Sequence, residues 1–167
     1  MKCVVITVSD RSAKGERKDE SGPILIEFLK EKEWFSKIDY EVIEDDKEKI
    51  KYLLEKYIKK GYNLILTTGG TGLALRDHTP DATREVIEKE IPGIAEEMRR
   101  KSREKTPHAL LSRAIAGIRE QTLIINLPGS PKGARENLEA VIDAIPHALK
   151  LLQGEVKDCK DEIPGKI

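Results

Sequence analysis

The sequence predicts an α/β fold: three layers, α/β/α, around a mostly parallel sheet with one antiparallel hairpin. Three observations predict it. Short β-branched runs without polar alternation, such as Cys3-Val4-Val5-Ile6-Thr7-Val8, read as strands covered on both faces. These runs alternate with segments whose apolar residues recur at helical spacing. Two further apolar runs, 114–118 and 122–125, are separated by only a few polar residues and read as a hairpin.

Each element follows in order. Ser9-Asp10-Arg11-Ser12 ends the first strand, and a polar loop is expected to about Glu20. Ser21-Gly22-Pro23 begins a helix, with proline pre-set for its first turn and Ile24, Leu25, Phe28 and Leu29 on one face. Residues 38–44 alternate loosely, as an edge strand does, and Asp45 and Asp46 close them. Ile50, Leu53, Leu54, Tyr57 and Ile58 then define an amphipathic helix that Gly61 ends. A third strand is expected over 62–66. Thr79 reads as an N-cap and Pro80 as the first helical residue of a helix running to about Glu90, where Pro92-Gly93 breaks it. A charged helix over 94–103 and the hairpin follow. The last helix turns Leu138, Val141, Ile142 and Ile145 inward, and Pro146 should kink or split it.

The chain has 167 residues, which is one domain by size; it is read as 1–156, with a loosely held tail over 157–167. The formal net charge is zero, which argues against a global electrostatic grip on nucleic acid or an anionic membrane. No apolar run approaches the roughly 20 residues needed to span a bilayer. Cys3 and Cys159 have no zinc spacing, and Met1-Lys2 leads straight into a strand, so the cytoplasm is the expected compartment.

Three strands end in loops of small and polar residues: Ser9-Asp10-Arg11-Ser12, Thr67-Thr68-Gly69-Gly70-Thr71-Gly72 and Asn126-Leu127-Pro128-Gly129-Ser130. In an open parallel sheet these ends share one edge, where ligands bind. Gly69, Gly70 and Gly72 permit close backbone approach and an anion-binding nest, and a helix start follows them. That suits phosphate, or a plain structural turn. Asp77 is a poor neighbour for phosphate unless a divalent cation lies between, and Asp45 is a second carboxylate placed to help hold Mg²⁺. The alternatives are an Asp77–Arg76 surface pair and helix capping by Asp45 or, better, Asp46. Arg99-Arg100-Lys101 reads as a solvated helix face, and His78, His108 and His147 share no metal spacing. Neither a P-loop nor a G-x-G-x-x-G is present.

Four segments in this order, "VSDRSAKGERKDESGP", "TTGGTGLALRDHTPDAT", "PHALLSRAIAGI" and "TLIINLPGSPKG", closely resemble the molybdopterin-binding family of the MogA and MoaB type, to which the G domain of gephyrin also belongs. The resemblance covers residues 3–153, and the four motifs are specific as a set. It implies a homotrimeric α/β protein that transfers AMP from ATP to the terminal phosphate of molybdopterin, with Mg²⁺, and releases pyrophosphate. The adenylylated product is the form that later accepts molybdate, which implies hand-over to a molybdate-inserting enzyme. Carried over by position, Asp77 and Asp45 are the catalytic, metal-holding pair. Thr68, Gly69, Gly70, Thr71 and Gly72 form the phosphate-side loop, and Ser9, Asp10 and Arg11 the first-strand loop. Ser102, Ser112 and Arg113 line the pterin side; Asn126, Pro128, Gly129 and Ser130 lie near the nucleotide.

The chain departs from the family pattern at Leu75, where proline is usual, at His78, where an apolar residue is usual, and near Glu120, where the hairpin usually has glycine. Two other classes stay open. A non-catalytic molybdopterin carrier of the MoaB type would bind the pterin without turning over ATP. An unrelated nucleotide enzyme that converged on the loop would not bind it at all.

Overall fold

The computed structural model describes residues 1–155; the tail expected at 157–167, with Cys159, lies outside them. Within those residues six strands form one sheet in the order β2-β1-β3-β6-β5-β4. The strands are β1 (Lys2–Val8), β2 (Lys37–Ile43), β3 (Leu64–Thr68), β4 (Lys89–Glu90), β5 (Ala116–Arg119) and β6 (Thr122–Leu127). β2, β1, β3 and β6 run parallel, whereas β5 is antiparallel to both β6 and β4. The helices are α1 (Asp10–Ala13), α2 (Ser21–Lys30), α3 (Lys47–Lys59), α4 (Thr79–Val86), α5 (Pro92–Arg103), α6 (Pro131–Val141) and α7 (Ile145–Leu152).

The continuous apolar strands bury both faces, and strand geometry assigns alternate residues to each. Cys3, Val5, Leu64, Leu66, Leu123 and Ile125 pack with α2, α5, α6 and α7. Val4, Ile6, Ile65 and Ile124 pack with α3 and α4. Three layers result. α3 is the cleanest match between sequence and structure: Ile50, Leu53, Leu54, Tyr57 and Ile58 are all buried, Asp46 caps its start by accepting from Lys49 N at 2.9 Å, and Gly61 follows its end at φ 68°.

The structure corrects several expectations. Residues 10–13 form a short helix, not a loop, because Ser9 Oγ accepts from Ser12 N at 3.3 Å and caps it. The third strand is shifted to Leu64–Thr68, since Tyr62 N still bonds to Tyr57 O at the close of α3. Thr79 is the first helical residue of α4 and not its cap; the capping position is His78, which makes no side-chain cap bond. α4 stops at Val86, short of Glu90. Ile87 turns extended there, and Glu88 N and Ile91 N bond to Ile118 O and Ala116 O, at 2.8 Å each, so Lys89–Glu90 becomes an unexpected sixth strand. The charged helix begins at Pro92, and the last helix is split by a tight turn at Ile142–Ala144 just before Pro146. No helix of the described residues is long and apolar enough to cross a membrane.

Candidate functional site

The parallel strands β1, β3 and β6 end side by side, so their loops meet at one edge. Gly69 N donates to Leu127 O at 3.1 Å, and Thr68 Oγ1 donates to Pro128 O at 2.6 Å. Ser21 Oγ, at the start of α2, donates to Gly129 O at 2.7 Å. Glycine is required at the centre of this seam. Gly69 has φ 102°, and a Cβ there would lie 2.2 Å from Val8 O. Gly70 has φ 64°, and its Cβ would lie 2.4 Å from Asp45 Oδ2 and 2.5 Å from Thr79 Oγ1.

The seam is a ridge between two cavities. On one side a cavity of about 360 Å³ has Ser9, Thr68, Gly69, Gly70 and Gly129 in its wall, together with Arg17, Lys18 and Asp19. On the other a cavity of about 460 Å³ is lined by Thr71, Gly72, Ser102, Ser112 and Pro128, with Arg99, Lys105 and Lys132. Ser130 lines both, and its Oγ caps α6 by accepting from Gly133 N at 3.1 Å. A helix N-terminus, with its positive dipole end, therefore points at the ridge.

Behind the ridge sits the carboxylate pair. Asp45 is only 8% exposed, and burial is the first cause that pushes its carboxyl pKa upward. The nearby charges of Asp77 and Asp10 push the same way, against the His78 backbone N–H, which donates to Asp45 Oδ1 at 3.0 Å. Asp77 Oδ2 accepts from Ala74 N at 2.9 Å. Arg76 pairs with Asp10, at 3.1 Å, and not with Asp77. Thr79 Oγ1 is buried beside Asp45 and has no hydrogen-bond partner among the described residues. Two carboxylates and an orphaned hydroxyl are a hard-oxygen donor set. No group of three metal-binding side chains gathers among the described residues. A cation held here would keep most positions for phosphate oxygens and water, which is the habit of Mg²⁺.

A family model described as "Probable molybdopterin binding domain" matches residues 4–147. The chain belongs to that family. A molybdopterin adenylyltransferase of Helicobacter pylori is 46% identical over 152 residues, 90% of this chain and 86% of its own. That of Escherichia coli is 37% identical over 173 residues, 95% of this chain and 89% of its own. Gephyrin of Dictyostelium discoideum is 42% identical across 95% of this chain, which spans only 23% of gephyrin's length. A solved structure of MogA superimposes with TM-score 0.87 at 38% identity, covering 91% of this chain and 99% of that one. MoaB from Thermus thermophilus gives 0.83 at 48% identity, covering 92% and 96%.

Not every residue carried over from the family pattern lines a cavity. Asn126 is fully buried in β6, where its Nδ2 donates to Thr67 Oγ1 at 3.0 Å and Thr83 Oγ1 at 2.9 Å and its Oδ1 accepts from Ile115 N; it clasps the sheet to α4 beneath the site. Asp10 props Asp45 by accepting its backbone N–H at 3.0 Å, and Arg11 points to solvent. Arg113 is half-buried behind the glycine loop, with its donors committed to that loop and to Asp81.

Other residues enter the site unannounced. Asp19 Oδ2 accepts from Thr7 Oγ1 at 2.6 Å and Gly22 N at 3.1 Å, and also from the Tyr40 hydroxyl; Asp19 Oδ1 accepts from Ser21 N at 3.0 Å. An aspartate two residues before a helix start was the available signal. Arg100 and Lys101 do face solvent in pairs with Glu97 and Glu104, but Arg99 turns inward, donating to Ala114 O at 2.9 Å. Its spacing of three from Ser102, on one helical face, could have found it.

Proposed function

We propose that the chain transfers AMP from ATP to the terminal phosphate of molybdopterin, releasing pyrophosphate, as a step of molybdenum cofactor biosynthesis. The observation that carries this reading is the pair of cavities back to back across one glycine ridge, sharing Ser130. Two large anionic substrates need two seats and one meeting point. The Ser9 cavity suits ATP. The Ser102 cavity suits the pterin, with Arg99, Lys105 and Lys132 facing its phosphate and Glu136 tempering the two lysines.

The chemistry is in-line displacement. A phosphate oxygen of molybdopterin attacks the α-phosphorus of ATP; that P–O bond forms while the bond to the β-phosphate breaks, and pyrophosphate leaves with the electron pair. The nucleophile is already anionic, so no strong base is needed. The chain must instead align two polyanions and offset their repulsion. Gly69 and Gly70 bring bare backbone to the phosphates, and the capped N-terminus of α6 adds positive potential. Asp45 and Asp77, beside the Thr79 hydroxyl, are the residues that would hold Mg²⁺. Bound there, Mg²⁺ neutralises and orients phosphate oxygens.

The test is incubation of the chain with molybdopterin, Mg²⁺ and ATP, followed by mass analysis. Adenylylated molybdopterin and pyrophosphate are expected; pterin binding without ATP turnover would leave a carrier instead. The reading also carries a homotrimer, a cytoplasmic setting and hand-over of the product to a molybdate-inserting enzyme. Sedimentation equilibrium returning a stable monomer at micromolar concentration would refute the trimer.

A further inference from the structure

We propose that Arg113 is a positioning residue for Asp77 and the glycine loop, and not a pterin contact; this rests on the functional reading above for what the loop is positioned to do. Arg113 is on the wall of neither cavity. Its backbone N–H donates to Thr71 O at 2.9 Å. Its Nε donates to Gly72 O at 2.8 Å, and its Nη2 donates to the main-chain carbonyl of Asp77. Its Nη1 lies 3.0 and 3.1 Å from the two carboxylate oxygens of Asp81, in the first turn of α4.

One planar guanidinium thus ties together the end of the glycine loop, Asp77 itself and the helix that follows. The span between Gly72 and Asp77 has little else to hold it. Residues 73–76 are exposed, with Leu75 at 96%; the turn closes on itself through Ala74 N to Asp77 Oδ2 and Asp77 N to Ala74 O, and Arg76 adds one exposed pair to Asp10. Asp77 Oδ2 is therefore spent inside the turn, and where its other oxygen points is fixed by the main chain that Arg113 pins. Lysine cannot replace this. Its single ammonium reaches one acceptor cluster, whereas the guanidinium fork spans acceptors on separate segments.

The test uses the whole chain with Arg113→Ala and Arg113→Lys. Hydrogen–deuterium exchange without ligands should rise over residues 72–78 in both variants, with α3 unchanged. Molybdopterin affinity should stay within about 3-fold, because Arg113 is not in the wall of its cavity and most of that wall, from Arg99 to Ser112 and from Pro128 to Asn137, lies outside the loosened loop. The Mg²⁺ concentration giving half-maximal AMP transfer should rise about 10–100-fold, the scale of lost outer-shell support for a metal ligand. Unchanged exchange over 72–78 would overturn the inference whether or not the chain transfers AMP. So would lost molybdopterin affinity with an unchanged Mg²⁺ requirement, or wild-type Mg²⁺ dependence in Arg113→Lys. If the native chain transfers no AMP, the functional reading fails on its own, and exchange together with Mg²⁺ binding measured by titration calorimetry still decides the role of Arg113.

Discussion

The two ends of the same sheet are built to different standards. At the end where the parallel strands start, polar groups find partners. Lys2 N donates to Asn63 Oδ1 at 2.8 Å, Leu123 N to Asn63 O at 2.9 Å, and Thr122 Oγ1 to Tyr62 O at 2.6 Å. The Tyr62 hydroxyl donates to Asp39, and its ring stacks edge-on against Tyr57 at 4.8 Å. At the end where they finish, Gly69 and Gly70 hold positive φ, Asp45 is a carboxylate raised by burial, and Thr79 Oγ1 has no partner among the described residues. One end is satisfied and the other keeps costs that a ligand would relieve, as functional sites tend to do. Two carboxylates on and just after β2 show the split: the Tyr62 hydroxyl, first among the causes, lowers the pKa of Asp39, whereas burial raises that of Asp45.

The sharpest way to break this contrast is Asp77→Asn. Asparagine keeps an oxygen for Ala74 N and removes only the charge. AMP transfer should fall about 10²-fold or more, the scale of losing one electrostatic stabiliser, with thermal stability hardly changed. Melting and transfer measured on one preparation decide it, and a fully active variant would move the chemistry elsewhere.

Gly70→Ala comes next. The methyl would press on Asp45 Oδ2 and Thr79 Oγ1 at a φ of 64°. A stability loss of about 1–3 kcal/mol is expected from overpacking, with about 1 kcal/mol more from the left-handed backbone. Chemical denaturation reads this directly. An alanine variant of native stability would show that the ridge has slack.

Two substitutions should then move stability in opposite directions. Asp45→Asn removes a buried charge while an oxygen remains for His78 N. Because the folded-state pKa of Asp45 is raised, its ionised form is a burden above that pKa. The variant should therefore melt about 2–4 °C higher at neutral pH in EDTA, equivalent to ~1 kcal/mol. That advantage should shrink as pH falls and Asp45 protonates. Tyr62→Phe, at the satisfied end, should cost about 0.5–1.5 kcal/mol and leave AMP transfer untouched. The folded-state pKa of Asp39 is lowered, so the stability it contributes is present above the ordinary carboxylate value and is lost as pH falls. Parallel pH–melting curves for the two variants would erase the distinction between the ends.

Sequence legibility divides along similar lines. The strands were readable because β1, β3 and β6 each carry an unbroken apolar run, and α3 because its periodicity is undiluted. The convergence of three distant loops follows from parallel topology alone. β4 was not readable: two exposed residues, Lys89 and Glu90, pair with β5 through main-chain bonds that no side-chain pattern encodes. Asn126 and Arg113 are placed among the ligand-side residues by the family resemblance alone, and the structure gives both of them partners within the fold. Their partners, Thr83 and Asp81, come from another element and are invisible in local spacing. Asp45 and Asp46 were separable only in part: the cap at Asp46 is local, whereas the role of Asp45 depends on Gly70, Thr79 and His78.

The smallest expected effect is also the cleanest control, because it lies at the satisfied end. Glu120 starts the two-residue connection between β5 and β6, where Arg119 faces Thr122, and it adopts φ 52°. Hairpin turns of this length favour glycine at a position of positive φ. For an L-residue with a Cβ, left-handed backbone costs roughly 1–2 kcal/mol. Glycine removes that strain but adds freedom to the unfolded chain, which offsets part of the gain. The Glu120 side chain is exposed, and its backbone N–H donates to Glu88 Oε2 at 3.2 Å, a bond that glycine keeps. Glu120→Gly should therefore stabilise the chain by about 0.5–1 kcal/mol, or roughly 1–4 °C in melting temperature. AMP transfer should not change, since the turn lies at the opposite end of β6 from Pro128 and Ser130. A destabilised variant would mean that the turn draws on a side-chain contact of Glu120, and altered transfer would mean that the two ends of the sheet are coupled through β6.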